Sequence, residues 1–307
     1  MRLVFLGTPA FAVPTLERIV AAGHEVAAVV TQPDRPRGRG QQSAFPPVKE
    51  TAVRLGLSVY QPERVRRPEA VEHLRELAPE AMVVVGYGQI IPQVVIDIAP
   101  LGIINVHASL LPKYRGAGPI QWAIANGETR TGVTTMRINA GLDTGDMLLK
   151  VETEIGADET AVELGGRLAQ TGADLLVETL AGLAGGTIVP EPQDDSQASY
   201  APLLKKEDGR IDWSAIAATI HNRARGFQPW PGAYTTFRGQ TLHVWKTRGP
   251  AIASGASAGR IVRLRPLVVS CGEGELELVE VQLEGRKRVA ASDFVNGQRV
   301  QIDEVLG

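Results

Sequence analysis

Residues 103–112 read Ile-Ile-Asn-Val-His-Ala-Ser-Leu-Leu-Pro. The apolar residues at the start are typical of a buried strand, and Pro112 ends that strand because proline has no N–H for a strand ladder. Asn105 and His107 are two residues apart, so their side chains point to the same face of the strand. A polar pair at this position either satisfies a hydrogen bond within the core or presents donors to a ligand. The pattern alone leaves both interpretations open.

Apolar segments on the amino-terminal side of this strand predict a sheet around it. Strands are predicted at residues 2–6, 26–30 and 81–85, and helices at residues 47–55, residues 68–77 and between Pro9 and Gly23, with Thr8 as the cap of that first helix. This alternation predicts an α/β fold, a doubly wound and mainly parallel sheet of the Rossmann-like type with right-handed crossovers. Such sheets bind ligands beyond the carboxyl ends of their strands, where Asn105 and His107 lie.

A second polar motif lies on a loop further along the chain, where residues 141–146 read Gly-Leu-Asp-Thr-Gly-Asp. Together with Asn105 and His107, this Asp143 motif and the Ser-Leu-Leu-Pro run resemble the signature of the folate-dependent formyltransferases. The resemblance implies that Asn105, His107 and Asp143 are catalytic and that 10-formyltetrahydrofolate is the formyl donor. It also implies a folate-binding role for the residues of the run, which are Ser109, Leu110, Leu111 and Pro112.

The chemistry of that family gives the three polar residues definite roles. An amine attacks the formyl carbon, and the carbonyl oxygen becomes an oxyanion that fixed hydrogen-bond donors stabilise. The amide N–H of Asn105 and a ring N–H of His107 suit this task. Asp143 either holds His107 in a donating state or passes a proton through a water. No covalent intermediate is required, and the five histidines, at positions 24, 73, 107, 221 and 243, do not form paired metal-ligand spacings, so no metal is expected.

The loop at residues 86–92, directly after the strand at residues 81–85, has two interpretations. It is an ordinary strand-to-helix connection, or it lines the pterin pocket, as the family resemblance implies. We favour the pocket, with Tyr87, Gln89 and Ile90 as cofactor-binding residues. By contrast, the first turn lacks the Gly-x-Gly-x-x-Gly run that brings backbone close to a pyrophosphate, so dinucleotide binding is disfavoured.

The segment at residues 31–42 is rich in proline, glycine and charge, which is typical of a solvated loop. It resembles the loop by which methionyl-tRNA formyltransferases grip the acceptor arm of the initiator tRNA, and this implies that Arg37 and Arg39 bind tRNA. Residues 199–213 resemble the segment that crosses between the domains in the same proteins, and they contain Lys205 and Lys206, which we also predict as tRNA contacts.

The carboxyl-terminal part of the chain is predicted to form a second domain. We expect a catalytic domain at residues 1–189, a linker at 190–208 and a tRNA-binding domain at 209–307. A helix capped by Asp212 or Ser214 begins the second domain, and short strands that include a terminal segment predict a small β-barrel of the oligonucleotide-binding (OB) kind. Its net charge supports a polyanionic partner, since residues 205–307 carry +4 and residues 1–204 carry −6.

The function predicted from these features is transfer of a formyl group to the amino group of initiator methionyl-tRNA, for translation initiation. An alternative is a formyltransferase that acts on an amino-sugar nucleotide, since such enzymes share the first domain. A catalytically silent RNA-binding or ligand-binding protein is a third possibility, which the presence of all three catalytic residues disfavours.

Composition sets the broad class of the protein. The chain has 307 residues, of which 44% are hydrophobic and 21% charged, as in a globular protein with a sizeable core. Its lone cysteine, Cys271, has no partner for an internal disulfide and is expected to be a buried, inert thiol. The chain shows no cleavable leader pattern and no apolar run as long as a membrane span. We expect a cytoplasmic monomer that does not contact a membrane.

Overall fold

The computed structural model describes residues 1–37, 42–251 and 255–307. The chain divides into two compact units. The first unit contains residues 1–116, 132–153 and 165–200, and the second contains residues 117–131, 154–164 and 201–307. The domain boundaries expected from composition stay a prediction.

Fifteen strands lie within the described residues. In chain order they are β1 (Arg2–Gly7), β2 (Glu25–Val30), β3 (Arg35–Arg37), β4 (Gln42–Ala44), β5 (Val59–Tyr60), β6 (Ala81–Val85), β7 (Ile103–His107), β8 (Arg130–Arg137), β9 (Met147–Glu154), β10 (Ala233–Phe237), β11 (Gln240–Ala251), β12 (Ile261–Leu264), β13 (Leu267–Ser270), β14 (Glu275–Leu283) and β15 (Val289–Ala290).

Eight α-helices accompany these strands in the same described residues. They are α1 (Val13–Ala21), α2 (Pro47–Arg54), α3 (Pro68–Glu76), α4 (Gln93–Ile96), α5 (Pro119–Ala125), α6 (Ala161–Ala184), α7 (Ala217–Gly226) and α8 (Ala291–Gln298). Proline occupies one of the first two positions of α1, α2, α3 and α5, where its missing N–H costs no helical hydrogen bond.

The first unit is organised around a seven-stranded sheet with the order β5-β2-β1-β6-β7-β8-β9. The strands from β5 to β7 pair in parallel, and β8 pairs antiparallel to β7. The predicted mainly parallel α/β fold is therefore confirmed. The parallel central strands are buried along their whole length, which is why they appear in the sequence as continuous apolar runs.

Both faces of the sheet carry apolar packing. Residues of one face, including Val4, Met82 and Ile103, form a core with Leu74 of α3 and Val95 of α4. The opposite face of β7 lies against α6, where a Cβ on Gly172 would press on the Val106 side chain. Helices on both faces make the sheet doubly wound, as predicted. Asn105 and His107 alternate with Val106, so they belong to the face that Ile103 shares.

The second unit contains an antiparallel sheet with the order β10-β11-β14-β13-β12, and β15 pairs with β14. Its core is formed by inward residues of these strands together with Trp213 and residues of α7. The prediction of a small β domain is confirmed, and its strands form an antiparallel sheet. The terminal segment is a correction, because residues 291–298 form helix α8 rather than a strand. Ala291, Phe294 and Val295 have helical spacing and bury one side of that helix.

Two predicted helix caps are wrong. Thr8 does not cap α1, because its hydroxyl donates to the Tyr87 carbonyl oxygen at 2.9 Å, and a short 3-10 turn precedes the helix. In the second unit, Asp212 accepts hydrogen bonds from the backbone N–H and the hydroxyl of Ser214, and together they form a turn. Helix α7 begins only at Ala217, whose backbone N–H donates to Glu273.

Cys271 is free and buried in the core of the second unit, as predicted. Desolvation, with a smaller contribution from the nearby Glu275 carboxylate, raises the pKa of its thiol to about 11. The thiol is therefore protonated near neutral pH, which makes it a poor nucleophile. None of the helices in the described part of the chain has the length and apolarity to span a membrane.

Candidate active site

Asn105 and His107 lie at the carboxyl end of β7, in the middle of the first-unit sheet. Asn105 pairs in register with Val84 of β6 on one side and with Met136 of β8 on the other. Asn105 is 9% exposed and His107 is 6% exposed. The Asn105 side-chain amide makes no hydrogen bond with any residue that the structure describes. It is therefore a nearly buried donor that is available to a ligand.

The His107 ring is held by the protein on one side only. Its Nε2 lies 2.9 Å from the Tyr114 carbonyl oxygen, and because a carbonyl only accepts, Nε2 carries the proton of this bond. Its Nδ1 lies 3.7 Å from Oδ2 of Asp143, a distance too long for a direct hydrogen bond. With a second proton the ring donates through Nδ1 as well, and the Asp143 carboxylate then faces a cation.

Asp143 belongs to a tight loop in which two positions have room only for glycine. A Cβ at Gly145 would collide with the Arg137 carbonyl oxygen, and one at Gly141 would collide with the Thr144 hydroxyl. Asp143 itself has a φ of +50°, in the left-handed region that aspartate and asparagine tolerate better than most residues. The loop thus directs the Asp143 carboxylate toward His107. Its terminal positions, Gly141 and Gly145, do not accommodate larger residues.

The carboxylate is held by a second segment of the first unit. The Gly116 backbone N–H donates to Asp143 Oδ2 at 2.9 Å. Tyr114, two residues earlier, supplies the carbonyl that holds His107 and has a φ of +60°. Non-glycine residues with positive φ are costly and cluster at functional sites, where the surrounding structure must hold them. The segment around Tyr114 therefore aligns the imidazole and the carboxylate with each other.

The Ser-Leu-Leu-Pro run forms a closed turn directly after β7. The Ser109 hydroxyl donates to the Lys113 carbonyl oxygen at 2.6 Å, and the Ser109 side chain is fully buried. The Thr134 hydroxyl donates to the Ser109 carbonyl oxygen and accepts from the Leu111 N–H. Leu111 packs in a small core with two methionines. The hydroxyl of Ser109 is thus committed to the turn, while Leu110 and Pro112 remain partly exposed.

The three residues predicted in the loop after β6 have different environments. Tyr87 is 1% exposed, and its hydroxyl has no partner within the described chain. Desolvation by burial raises the pKa of Tyr87 to about 12. The Gln89 side chain accepts from the Val65 N–H and donates to the Glu63 carbonyl oxygen. Ile90 is 92% exposed, so of the three side chains it is the one open to a ligand.

Two polar residues behind the Asp143 loop were not found from the sequence. Arg115 is 2% exposed, and its guanidinium donates to Oε1 of Gln193 through Nε at 3.0 Å and Nη2 at 2.8 Å. The Gln193 amide N–H groups donate to the Asp143 and Gly145 carbonyl oxygens. The sequence feature that could have indicated this pair is the position of Arg115, in the loop directly after the Ser-Leu-Leu-Pro run. Its partner Gln193 lies 78 positions away in the predicted linker, so the contact cannot be found from spacing.

The predicted tRNA contacts are only partly described. Arg37 is the last residue of β3, and Arg39 lies outside the described residues. Lys205 and Lys206 are exposed in the second unit, at the start of a 3-10 turn over Lys206–Gly209. Among the described residues there is no group of three or more His, Cys, Asp or Glu side chains placed to hold a metal ion.

Comparison with known proteins covers both units. The formyl transferase family profile matches residues 1–180, and the profile of the formyl transferase C-terminal domain matches residues 203–299. The chain is 74% identical over 307 residues to the methionyl-tRNA formyltransferase of Solibacter usitatus, which covers all of this chain and 99% of the relative. It is 56% identical over 310 residues to the methionyl-tRNA formyltransferase of Koribacter versatilis, again with 100% and 99% coverage.

A solved structure shares the fold at much lower identity. The sugar 3N-formyltransferase WlaRD, determined in the presence of dTDP and 5-N-formyl-THF, aligns with a TM-score of 0.67 and 18% identity. The alignment covers 94% of this chain and 99% of that one. This likeness supports the fold alone.

Proposed function

The chain belongs to the methionyl-tRNA formyltransferase family, and we propose that Asn105, His107 and Asp143 perform its transfer of a formyl group from 10-formyltetrahydrofolate to the amino group of initiator methionyl-tRNA. The observation that carries this assignment is the fixed His107 ring. Its Nε2 is bound to the Tyr114 carbonyl, and its Nδ1 faces the Asp143 carboxylate at 3.7 Å.

The reaction needs hydrogen-bond donors for the negative charge that forms transiently on the formyl oxygen. The neutral amine of methionine attacks the formyl carbon, and the carbonyl oxygen becomes an oxyanion. Asn105 donates through its amide, and His107 donates through Nδ1 when the ring is doubly protonated. The Tyr114 carbonyl holds the His107 ring, and both groups are nearly buried before the reaction, so the site stabilises the charge with little reorganisation. The free Asn105 amide supports this role, since the described chain offers it no other partner.

Asp143 faces Nδ1 of the His107 ring and takes part in proton transfer. As the tetrahedral intermediate collapses, the C–N bond to the folate breaks, the attacking nitrogen loses a proton, and the leaving nitrogen gains one. A carboxylate beside the imidazole passes this proton through a water. The amine is itself the nucleophile, so no covalent enzyme intermediate and no metal is needed for this route.

We propose that the folate lies in the crevice beyond the ends of β6 and β7, a position where parallel sheets bind ligands. Ile90 supplies an exposed apolar wall, supported by its 92% exposure. Tyr87 and Gln89 hold the loop, and Ser109 to Pro112 form the turn that borders the pocket. The partly exposed Leu110 and Pro112 provide the rest of the apolar surface that a flat heterocycle requires.

We propose that four basic residues contact the tRNA backbone, namely Arg37, Arg39, Lys205 and Lys206. The exposure of Lys205 and Lys206 and the net charge of +4 over residues 205–307 support the contact with a polyanion.

We also propose a division of the chain into a catalytic domain at residues 1–189, a linker at 190–208 and a tRNA-binding domain at 209–307. The protein acts as a monomer in the cytoplasm.

Substrate choice tests the function directly. The protein is incubated with 10-formyltetrahydrofolate and one of three amines, which are methionyl initiator tRNA, methionyl elongator tRNA and an amino-sugar nucleotide, and formyl transfer is measured for each. We expect rapid transfer to the initiator tRNA only. Transfer to the amino sugar, without transfer to tRNA, would contradict the proposal.

Salt dependence tests the basic contacts separately. For the Lys205→Ala/Lys206→Ala double variant we expect a higher KM for methionyl-tRNA and an unchanged kcat. The slope of log(kcat/KM) against log salt concentration becomes shallower by about 2, since each phosphate contact contributes about one unit. Lys150→Ala, at an exposed lysine in β9 outside the proposed contacts, is the control. An identical slope in the double variant and the wild type would exclude both lysines as phosphate contacts.

A further inference from the structure

Three consecutive residues hold different parts of the active site. The Tyr114 carbonyl accepts from His107 Nε2, and the Gly116 N–H donates to the Asp143 carboxylate. Between them, the Arg115 side chain turns into the interior, where it is 2% exposed. A buried guanidinium needs acceptors for its N–H groups, because an unpaired charge is strongly disfavoured away from water. Arg115 finds these acceptors behind the Asp143 loop.

The main acceptor is the Gln193 side chain, and its orientation is fixed by chemistry. Arginine only donates, so the oxygen of the Gln193 amide must face Arg115, as the 3.0 and 2.8 Å contacts of Oε1 require. The NH₂ group then faces the other way and donates to the Asp143 carbonyl oxygen at 2.8 Å and the Gly145 carbonyl oxygen at 2.7 Å. One amide thus connects a buried cation to both ends of the turn that carries Asp143.

The remaining partner of Arg115 contributes much less. Asp195 accepts from Nη2 at 2.7 Å, but its side chain is 82% exposed, and ion pairs with solvated groups are weak. The Asp143 backbone meanwhile adopts a φ of +50°, a conformation that its surroundings must hold. Gln193 donates to the carbonyl of Asp143 itself and to that of Gly145, so it restrains the turn from the strained residue onward.

We propose that Arg115 and Gln193 are positioning residues for formyl transfer. They fix the backbone of residues 143–145 so that the Asp143 carboxylate stays opposite His107 Nδ1. Neither side chain touches the reacting atoms, and both act through Asp143. This inference rests on the proposed catalytic role of Asp143, and the experiment below separates the two claims.

The test variant is Gln193→Glu, with formyl transfer from 10-formyltetrahydrofolate to methionyl-tRNA as the assay. Glutamate keeps an oxygen for Arg115, which preserves the fold, but it replaces the NH₂ group with an oxygen that repels the Asp143 and Gly145 carbonyls. We expect kcat to fall by about 100-fold, since small displacements of reacting groups have effects of that size. We expect KM values for both substrates to stay close to wild type and the thermal unfolding midpoint to fall only modestly, because the bond of the carboxylate to Arg115 offsets part of the loss of two hydrogen bonds.

A double variant separates positioning from a general structural role. If Gln193 acts through Asp143, then Asp143→Asn combined with Gln193→Glu has the same kcat as Asp143→Asn alone, because the loop has nothing left to position. Gln170→Glu is the matched control, since it makes the same change at an exposed position of α6 in the first unit, and it should turn over like wild type. Should Gln193→Glu not fold, kcat and KM are measured for Gln193→Met in its place, with the same expected loss of kcat and with a lower unfolding midpoint, since methionine leaves Arg115 without its main acceptor.

Three results would overturn the inference. One is a wild-type kcat in Gln193→Glu, and another is a double variant whose two losses multiply. The third is a wild-type kcat in Asp143→Asn, which would also overturn the catalytic role assigned to Asp143. Loss of activity in Asp143→Asn together with full activity in Gln193→Glu would contradict only the positioning role of Gln193. The proposed function would be unaffected.

Discussion

Replacement of His107 by alanine is expected to lower kcat by about 10²–10³-fold, the usual effect of removing one fixed donor from a developing oxyanion. The doubly protonated ring supplies the Nδ1 donor, while the Tyr114 carbonyl holds the ring through Nε2. The KM for methionyl-tRNA should change little, because the lost interaction forms mainly in the transition state.

The His107→Ala protein is expected to fold. The substitution removes one buried hydrogen bond and leaves the Tyr114 carbonyl without the His107 ring, which reduces the free energy of unfolding by about 1–3 kcal/mol. Thermal unfolding measured beside the kinetics separates this loss from the loss of catalysis. His73→Ala is a suitable control, since His73 packs against Tyr60 elsewhere in the first unit and has no role in the proposed reaction.

Added imidazole provides a further check on the His107 assignment. If the ring itself is the donor, free imidazole should restore part of the activity of His107→Ala and none of the activity of Asp143→Asn. Turnover by His107→Ala at the wild-type rate would contradict the role given to this residue, whatever the unfolding measurement shows.

The central sheet was predictable because burial on both faces leaves an unambiguous pattern. Residues 81–85 and 103–107 are continuous apolar segments apart from Asn105 and His107, and the observed strands have these same bounds. The interruption itself was informative, since a strand residue with period two must share a face with its second neighbour. The predicted pair therefore lies at the carboxyl end of a central strand.

Local capping rules failed where a distant partner competes for the same group. Thr8 has the right chemistry for a cap, but its hydroxyl bonds to the Tyr87 carbonyl, 79 positions away in the chain. Helix α7 likewise begins at Ala217, where a neighbouring carbonyl accepts the first N–H, rather than at the Asp212–Ser214 turn. Such tertiary contacts cannot be derived from spacing, because they depend on which segments the fold brings together.

The support behind the active site was hidden from the sequence for the same reason. Arg115 lies in a polar stretch with glycines directly after the Ser-Leu-Leu-Pro run, and Gln193 lies in the predicted linker, so neither pattern indicates a buried side chain. In the structure the Arg115 backbone N–H donates to the Ser199 carbonyl, and the guanidinium is buried against Gln193. Polarity predicts exposure only on average, and a buried arginine with suitable acceptors is the exception that needs coordinates.

Asp143→Asn is expected to lower kcat by about 10²-fold or more, since both of its proposed roles require the carboxylate charge. Asparagine is the cleanest replacement at this position. It tolerates the left-handed φ of +50° that Asp143 adopts, and its side-chain oxygen still accepts from the Gly116 N–H. Glutamate would retain the charge but strain the backbone, so a loss of activity in Asp143→Glu would be harder to interpret.

The Asp143→Asn measurement is kcat at saturating concentrations of both substrates, with the thermal unfolding midpoint as the test of folding. Asp146→Asn makes the same change in charge three residues away on the same loop and should retain wild-type turnover. Asparagine keeps the size of the side chain and the hydrogen bond from the Gly116 N–H, so the midpoint should shift little. A kcat equal to that of Asp146→Asn would mean that the charge opposite His107 Nδ1 takes no part in formyl transfer, since geometry and hydrogen bonding are preserved in this variant.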